Sequence, residues 1–222
     1  MQIKQIIENQ TFDEERALYN IQNTEVRNCT FAGPQDGESV LKETRQVRVD
    51  HCTFSLRYPL WHVQGYELIH SSLDELTRAP IWYSHHGLID SCDIQGIKIL
   101  RECSDTIVSN CQIQSPEFGW FCQDISIKDS EIHSEYMLLH SHHVKIDHLK
   151  FTGNMHDLEI TNSFLDTKDA FWHSSNVIVK DSVVKGEYLG WFSKNVTFIN
   201  CQIIGTQPLC YCENLKLIDC EM

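Results

Sequence analysis

Four side chains have chemical types and spacings that could support catalysis: Glu43, His62, Arg101 and Glu102. Glu43 and His62 occupy the same place in consecutive units of a repeat described below, and a carboxylate beside an imidazole can move a proton as an acid–base pair. Glycoside hydrolysis instead uses two carboxylates about 5 to 9.5 Å apart, a role open to Glu43 and Glu102 only if the fold brings them together. An arginine such as Arg101 could act as the base of a polysaccharide lyase.

The tryptophans form a second group with a recognisable chemistry. A sugar ring packs its C–H face on an aromatic ring, while charged side chains bind its hydroxyl groups. An exposed row of aromatic residues edged by charges is therefore typical of a saccharide site. The predicted ligand-binding residues are Trp61, Trp82, Trp120, Trp172, Trp191 and His173.

An internal repeat determines where these residues lie. The string VRNCTF at Val26–Phe31 recurs in eleven copies. Seven of the ten steps between copies are 19 residues long, as the step from Ile89 to Val108 is. Within each copy apolar and polar residues alternate as in a short strand, and no 3.6-residue period is visible elsewhere in the unit. The copies begin at Val26, Val49, Leu68, Ile89, Val108, Ile127, Ile146, Ile160, Val179, Phe198 and Leu217.

Two repeat architectures fit this pattern. A leucine-rich repeat has a longer period, about 20 to 29 residues, and a leading L-x-x-L string. The leucine expected in that string is replaced here by other residues, for example by Thr44 or Val63. A parallel β-helix, in which short strands are joined by tight turns, fits a 19-residue unit better. The sequence thus predicts an all-β fold, a right-handed single-stranded parallel β-helix of about eleven rungs over residues 17–222, with an N-terminal cap at residues 1–16.

Stacked rungs place equivalent residues above one another, so columns can be predicted. One column is made of small residues, mostly Cys and Ser, beginning at Cys29 and Cys52. Two columns of polar residues, beginning at Asn28 and Asn23, are typical of turns. The shortened step from Ile146 to Ile160 indicates a rung that has lost one side.

The five tryptophans share a column that lies seven residues before the repeat copies. The column before it is apolar and is predicted to point inward, which turns the tryptophans outward. Three interpretations remain open: a structural ladder with Arg101 between Trp82 and Trp120 as a cation–π sandwich, a saccharide surface, or a protein interface.

The case for an enzyme is weaker than the case for binding. Glu43 and Glu102 are three rungs apart, roughly 14 Å at the spacing of sheet strands, which is too far for a glycosidase pair. Glu43 and His62 are one rung apart and could be an acid–base dyad or a surface ion pair. An enzyme of this kind would be a glycoside hydrolase or resemble a polysaccharide lyase. The leading hypothesis is binding or slow processing of a neutral oligosaccharide along the tryptophan column, and the alternative is a non-catalytic scaffold that binds protein.

The ten cysteines and the histidines do not predict a metal centre. Most cysteines fall in the buried columns, where a free thiol behaves as a small hydrophobic group. His140, His142 and His143 are the densest histidine cluster, but neighbouring residues of a strand point to opposite faces. We expect no metal and no cofactor.

Charge and hydropathy exclude some partners and indicate a compartment. The 222 residues carry 18 basic and 31 acidic side chains, a net charge of -13, which disfavours nucleic acid and anionic membranes. No apolar run approaches the roughly 20 residues of a membrane span, and the first residues lack a secretory signal. We therefore expect a cytoplasmic protein.

Several strings resemble a known family over nearly the whole chain. They are DGESVLKE, SLRYPLW, SPEFGW, DTKDAFWHS, GEYLGW and IGTQPLCYC. With the repeat, they make the chain similar to the pectate-lyase-like β-helix superfamily and, more closely, to an uncharacterised bacterial family known only as a domain of unknown function. The resemblance implies the fold and hardly any function. Because the last repeat ends uncovered at Met222, we also expect either a longer native chain or a homodimer through this rung.

Overall fold

The chain forms a stack of parallel strands. The computed structural model describes residues 1–33, 37–138, 141, 143–154, 158–166 and 171–222, which contain 25 strands and a 3-10 helix at Glu75–Thr77. Strands with the same place in successive rungs pair in parallel and form three faces.

The first face contains β1 (Gln5–Glu8), β3 (Gln22–Arg27), β5 (Arg45–Asp50), β8 (Gln64–Ile69), β11 (His85–Asp90), β14 (Ser104–Ser109), β19 (Leu158–Thr161), β21 (Ser175–Lys180), β23 (Lys194–Ile199) and β25 (Lys216–Ile218). The second contains β2 (Thr11–Phe12), β4 (Thr30–Phe31), β6 (Thr53–Phe54), β9 (Ser72–Leu73), β12 (Asp93–Gln95), β15 (Gln112–Gln114), β20 (Phe164–Asp166), β22 (Val183–Lys185) and β24 (Gln202–Ile204). The third contains β7 (Leu60–Trp61), β10 (Ile81–Trp82), β13 (Lys98–Arg101) and β16 (Glu117–Trp120). β17 (Gln123–Met137) continues through all three faces, and β18 (Val144–Asn154) continues from the first to the second.

The strand register confirms the predicted parallel β-solenoid. Val26 pairs with Val49, Val49 with Leu68, and Leu68 with Ile89, which are the first residues of consecutive copies. The leucine-rich alternative is wrong, because the described residues contain no helix longer than the three residues of the 3-10 turn. The right-handed winding stays a prediction.

The repeat begins earlier than predicted. β1 pairs with β3 through Ile7 and Val26, and β2 pairs with β4 through Phe12 and Phe31. Residues 7–12 are therefore one more copy, a full repeat unit before the copy at Val26. The segment predicted as an N-terminal cap, residues 1–16, therefore contains this copy.

The core is the stack of inward columns. Val26, Val49, Leu68 and Ile89 each expose none of their surface, and Phe31 and Phe54 stack at 4.5 Å between ring centroids. The predicted burial of the cysteines is confirmed for seven of the ten, and all ten are free thiols. Burial raises the pKa of Cys52 to about 12, which keeps this thiol protonated and unreactive.

Turn residues in the left-handed region connect the faces. Both predicted polar turn columns have positive φ: Asn28, His51 and His70 lie at 51°, 52° and 47°, and Asn23 and Gln46 both at 52°. Asn, Asp and His tolerate this conformation better than most residues, which accounts for their recurrence there. A third left-handed column follows the tryptophan column, and its members include Asn20, Glu43, His62, Tyr83, Glu102, Phe121, His173, Phe192 and Tyr211.

Candidate functional site

The tryptophan column lies on the surface beside a buried column. Leu60 and Ile81 are fully buried, and the tryptophan that follows each of them is half-buried. The inward direction predicted for the preceding column is thereby confirmed at these positions. We call the outer surface formed by the tryptophan column, the left-handed column after it and Tyr136 the aromatic face.

Ring planes on the aromatic face stack along the solenoid. Trp61 stacks on Trp82 with centroids 5.9 Å apart and planes 13° apart, and His62 stacks on Tyr83 at 4.9 Å and 7°. Trp82 also lies parallel to Tyr83 at 5.3 Å. Each of the four rings in this block covers one face of its partner in the next rung, and rings stacked along the solenoid turn their edges outward.

Two cations close this block. The Lys42 Nζ lies 4.6 Å from the centroid of Trp61, and the Arg101 Cζ lies 5.8 Å from that of Trp82. Arg101 also lies 5.6 Å from Trp120, as the cation–π prediction requires. Such contacts contribute about 0.5 to 2 kcal/mol each. The geometry is that of a structural ladder through this part of the column.

A second stack lies toward the C-terminal rungs. Trp172 and Trp191 stack at 5.6 Å, and Phe192 lies parallel to His173 at 5.2 Å and to Tyr211 at 4.9 Å. Phe192 and Tyr211 are 41% and 69% exposed. Neither was predicted as a site residue, although both contribute exposed apolar surface beside the tryptophans.

Between the stacks, Trp120 is arranged differently. Phe121 and Tyr136 meet it edge to face, with interplanar angles of 74° and 76°. Both residues are about half exposed, and the indole Nε1 of Trp120 donates a hydrogen bond to the Tyr136 carbonyl oxygen at 2.8 Å. Perpendicular rings of this kind do not cover one another as the stacked rings do.

The predicted catalytic residues are not brought together as a pair. Tyr19 donates a hydrogen bond from its hydroxyl to Glu43 Oε2 at 2.8 Å, whereas His62 stacks on Tyr83. No hydrogen bond or ion pair joins Glu43 to His62, both of which the structure describes. Their catalytic role stays a prediction that this arrangement does not favour.

Arg101 and Glu102 have structural partners as well. The Arg101 guanidinium lies 3.4 Å from Glu117 and 3.8 Å from Glu102. Partial desolvation and the nearby Glu102 carboxylate raise the pKa of Tyr83 above its ordinary value. The ion pairs of Arg101 with Glu117 and Glu102 neutralise these charges on the aromatic face. His140 and His142, from the predicted histidine cluster, lie outside the described residues.

The site missed by the sequence-based prediction is a histidine pair in a turn column. Asp50 lies next to His51 in the chain, and His70 occupies the same turn position one rung further. The signal was present as an Asp-His dipeptide followed by a second histidine one repeat unit later. Its significance depends on side-chain directions, which the repeat alone does not give.

Comparisons with known proteins identify a family. The model of a family described as "Protein of unknown function (DUF3737)" matches residues 5–222. No curated protein matches the chain. In the part of the chain that the structure describes, no helix is long and apolar enough to cross a membrane.

Two solved structures are similar only in a loose sense. One is a mutant tailspike protein of E. coli bacteriophage HK620 in complex with a hexasaccharide, with 9% identity and a TM-score of 0.32, covering 98% of this chain and 65% of the tailspike. The other is QnrB1, a plasmid-mediated fluoroquinolone resistance protein, with 13% identity and a TM-score of 0.19, covering 97% and 90% of the two chains. The chain thus spans about two thirds of the tailspike's length.

Proposed function

The chain belongs to the DUF3737 family of proteins of unknown function, and we propose that it is a non-catalytic scaffold that binds a partner protein through the aromatic face. The observation that carries this proposal is the closed stacking of the rings. Trp61 and Trp82 cover each other, and Lys42 and Arg101 lie over their outer faces. A sugar needs an open ring face, whereas a protein side chain can pack against ring edges.

The composition of the aromatic face supports a protein partner. Stable interfaces are enriched in aromatic residues and arginine, and their central residues lie among contacts that exclude water. Tyr19, Phe121, Phe192 and Tyr211 expose between 41% and 69% of their surface on this face. Arg101 on this face is already paired with Glu117, so burying this guanidinium against a partner does not leave its charge unpaired.

A photo-crosslinking residue at position 192 tests the proposal. Ile178, 39% exposed on the first sheet face, is the matched control for Phe192, which is 41% exposed on the aromatic face. In cells producing the full chain, we expect one discrete protein adduct from position 192 that is absent from position 178. The adduct should decrease when Tyr211 is replaced by Ser. Adducts of equal yield at both positions, or none at 192, would contradict a protein interface there.

A saccharide site is the second candidate, and the perpendicular cluster around Trp120 favours it. Tyr136 is 54% exposed and meets Trp120 edge to face, so its ring offers a surface on which a sugar can pack. Tryptophan fluorescence should then shift saturably with a neutral oligosaccharide, and Tyr136→Ala should abolish the shift. Tyr211→Ala, at the far end of the face, is the control. The absence of a shift with every oligosaccharide of a neutral and acidic panel would exclude this candidate.

A further inference from the structure

Two histidines of adjacent rungs converge on one carboxylate oxygen. The Nδ1 atoms of His51 and His70 lie 2.6 Å and 3.0 Å from Oδ1 of Asp50. The imidazole rings lie 4.7 Å apart with their planes inclined by 36°. The side chains of His51 and His70 are 61% and 48% exposed, so the cluster is open to solvent at the corner between the first and second sheet faces.

The backbone holds this arrangement. His51 and His70 occupy equivalent left-handed turn positions, with φ of 52° and 47°, and Asp50 is the last residue of β5. Arg48 lies 4.0 Å from Oδ2 of the same carboxylate and 3.3 Å from Glu67, which orients Asp50 and leaves Oδ1 to the imidazoles.

From this convergence we propose that Asp50, His51 and His70 bind one divalent transition-metal ion, with zinc as the ion of best fit. Their ligand atoms all lie within 4.8 Å of one another. Around zinc, ligands at about 2.0 to 2.1 Å stand roughly 3.3 Å from each other, so the Nδ1–Oδ1 distances of 2.6 Å for His51 and 3.0 Å for His70 lengthen by about 0.7 and 0.3 Å on binding. On binding, each imidazole gives up the Nδ1 proton with which it contacts Asp50, coordinates the metal through Nδ1 and carries its remaining proton on Nε2, and water occupies the fourth position. The expectation of no metal was based on the cysteines and on the cluster of His140, His142 and His143. The site proposed here differs from that expectation.

The other histidines of the turn columns lack this set of ligands. His148 lies 3.1 Å from Asp147, but the next rung has Asn162 at its position. His86 pairs with Asp105 at 2.7 Å, and His143 with Asp124 at 3.1 Å, each as a single imidazole. Among the described residues, Asp50, His51 and His70 are the one group of three whose ligand atoms converge closely enough for a metal.

Calorimetric titration of the reduced full chain with Zn²⁺ tests the site. His51→Asn and His70→Asn are suitable variants because Asn28, Asn110 and Asn200 already occupy the same turn column in the left-handed conformation. His148→Asn is the matched control. We expect one zinc ion per chain in the wild type and in His148→Asn, and a loss of more than about tenfold in affinity in the other two variants.

A second measurement separates this site from the cysteines. Co²⁺ bound by two imidazoles and a carboxylate lacks the thiolate charge-transfer absorption that cysteine coordination produces. We expect a visible Co²⁺ spectrum without that absorption, and its disappearance in His70→Asn. The proposal is overturned if the wild type binds no zinc, if His70→Asn binds it as tightly, or if thiolate absorption dominates. Circular dichroism of each variant verifies that the solenoid is retained.

Discussion

Residue 87 shows how one side chain can depend on its neighbour in the next rung. Gly87 follows Tyr66 in the same inward column, and Tyr66 is 1% exposed. A Cβ atom on Gly87 would lie 2.2 Å from Cζ of Tyr66, far inside van der Waals contact. Val47 occupies the equivalent position in the rung before Tyr66, so the large ring has an empty place on one side only. The buried position of the Tyr66 ring therefore depends on the glycine at position 87 of the next rung.

We therefore predict that Gly87→Ala destabilises the protein by about 1 to 3 kcal/mol, the usual cost of overpacking a core. In a Tyr66→Val background the same substitution should cost much less, because the ring that it meets is gone. Urea unfolding of the wild type, both single variants and the double variant measures this coupling. Equal costs of Gly87→Ala in both backgrounds would show that the ring does not require the glycine.

Asp90 predicts a pH dependence at a second turn. Ser109 donates its hydroxyl to this carboxylate, and the amide of Asn110 donates a 2.8 Å hydrogen bond. The hydrogen bond from Ser109, with those from Asn110 and Ser91, lowers the pKa of Asp90 despite partial burial. A lowered folded pKa contributes stability that is present above the unfolded value, about 3.9, and is lost as the pH falls through the folded value.

The expected result concerns Asp90→Asn. This variant should have a lower melting temperature than the wild type at pH 7, and the difference between the two melting temperatures should shrink as the pH falls below about 4. Melting temperatures between pH 7 and pH 2 measure it, with Asp93→Asn on the exposed side of β12 as the control. A difference that stays constant over this range would mean that the Asp90 charge does not stabilise the fold.

At the scale of the element, the third turn column unites backbone strain and ring stacking. Tyr83 and Phe121 have φ of 49° and 56°, a conformation that aromatic residues seldom adopt. Stacked neighbours hold Tyr83 there, since its ring lies parallel to those of Trp82 and His62. The aromatic ladder and the turn therefore stabilise each other, which is a structural reason for aromatic residues in this column.

Trp82 is the best place to test the ladder, because Trp61 covers one side of it and Arg101 the other. Trp82→Ala should lower the free energy of unfolding by about 2 kcal/mol, roughly half the cost of removing a fully buried tryptophan. Tyr136→Ala, at a 54% exposed position, should cost clearly less in the same urea titration. If Trp82→Ala is as stable as the wild type, the tryptophan column contributes to binding rather than to folding.

The sequence predicted the strands and their register because stacking imposes one rule on every rung. Apolar residues in phase at Val49, Leu68 and Ile89 leave only one pairing that buries them all. The copy at Ile7 was missed because Gln10 stands where Cys29 stands in the next rung.

The candidate site was less predictable for a physical reason. Column membership shows that Trp61 and Trp82 are neighbours, but not whether they present faces or edges to solvent. That choice depends on side-chain rotamers and on the positive φ of His62 and Tyr83. The same limitation hid the convergence of His51 and His70, which differs from a solvated pair only in the direction of two imidazoles.

For the whole molecule, the repeat length is the quantity that keeps every column in phase. Deleting the segment Val108–Ser126, one complete repeat unit, joins Ile107 to Ile127 and leaves each inward position occupied by an equivalent residue. Deleting only Val108–Ile125 puts Ser126 into the buried place of Val108 and turns Ile127 outward, since side chains alternate along a strand. We expect the full-unit deletion to retain strand circular dichroism and a cooperative, lower melting transition, and the shorter deletion to lose that transition. Because the two variants differ by one residue, equal behaviour would show that the stack tolerates a change of phase and that register does not determine its stability.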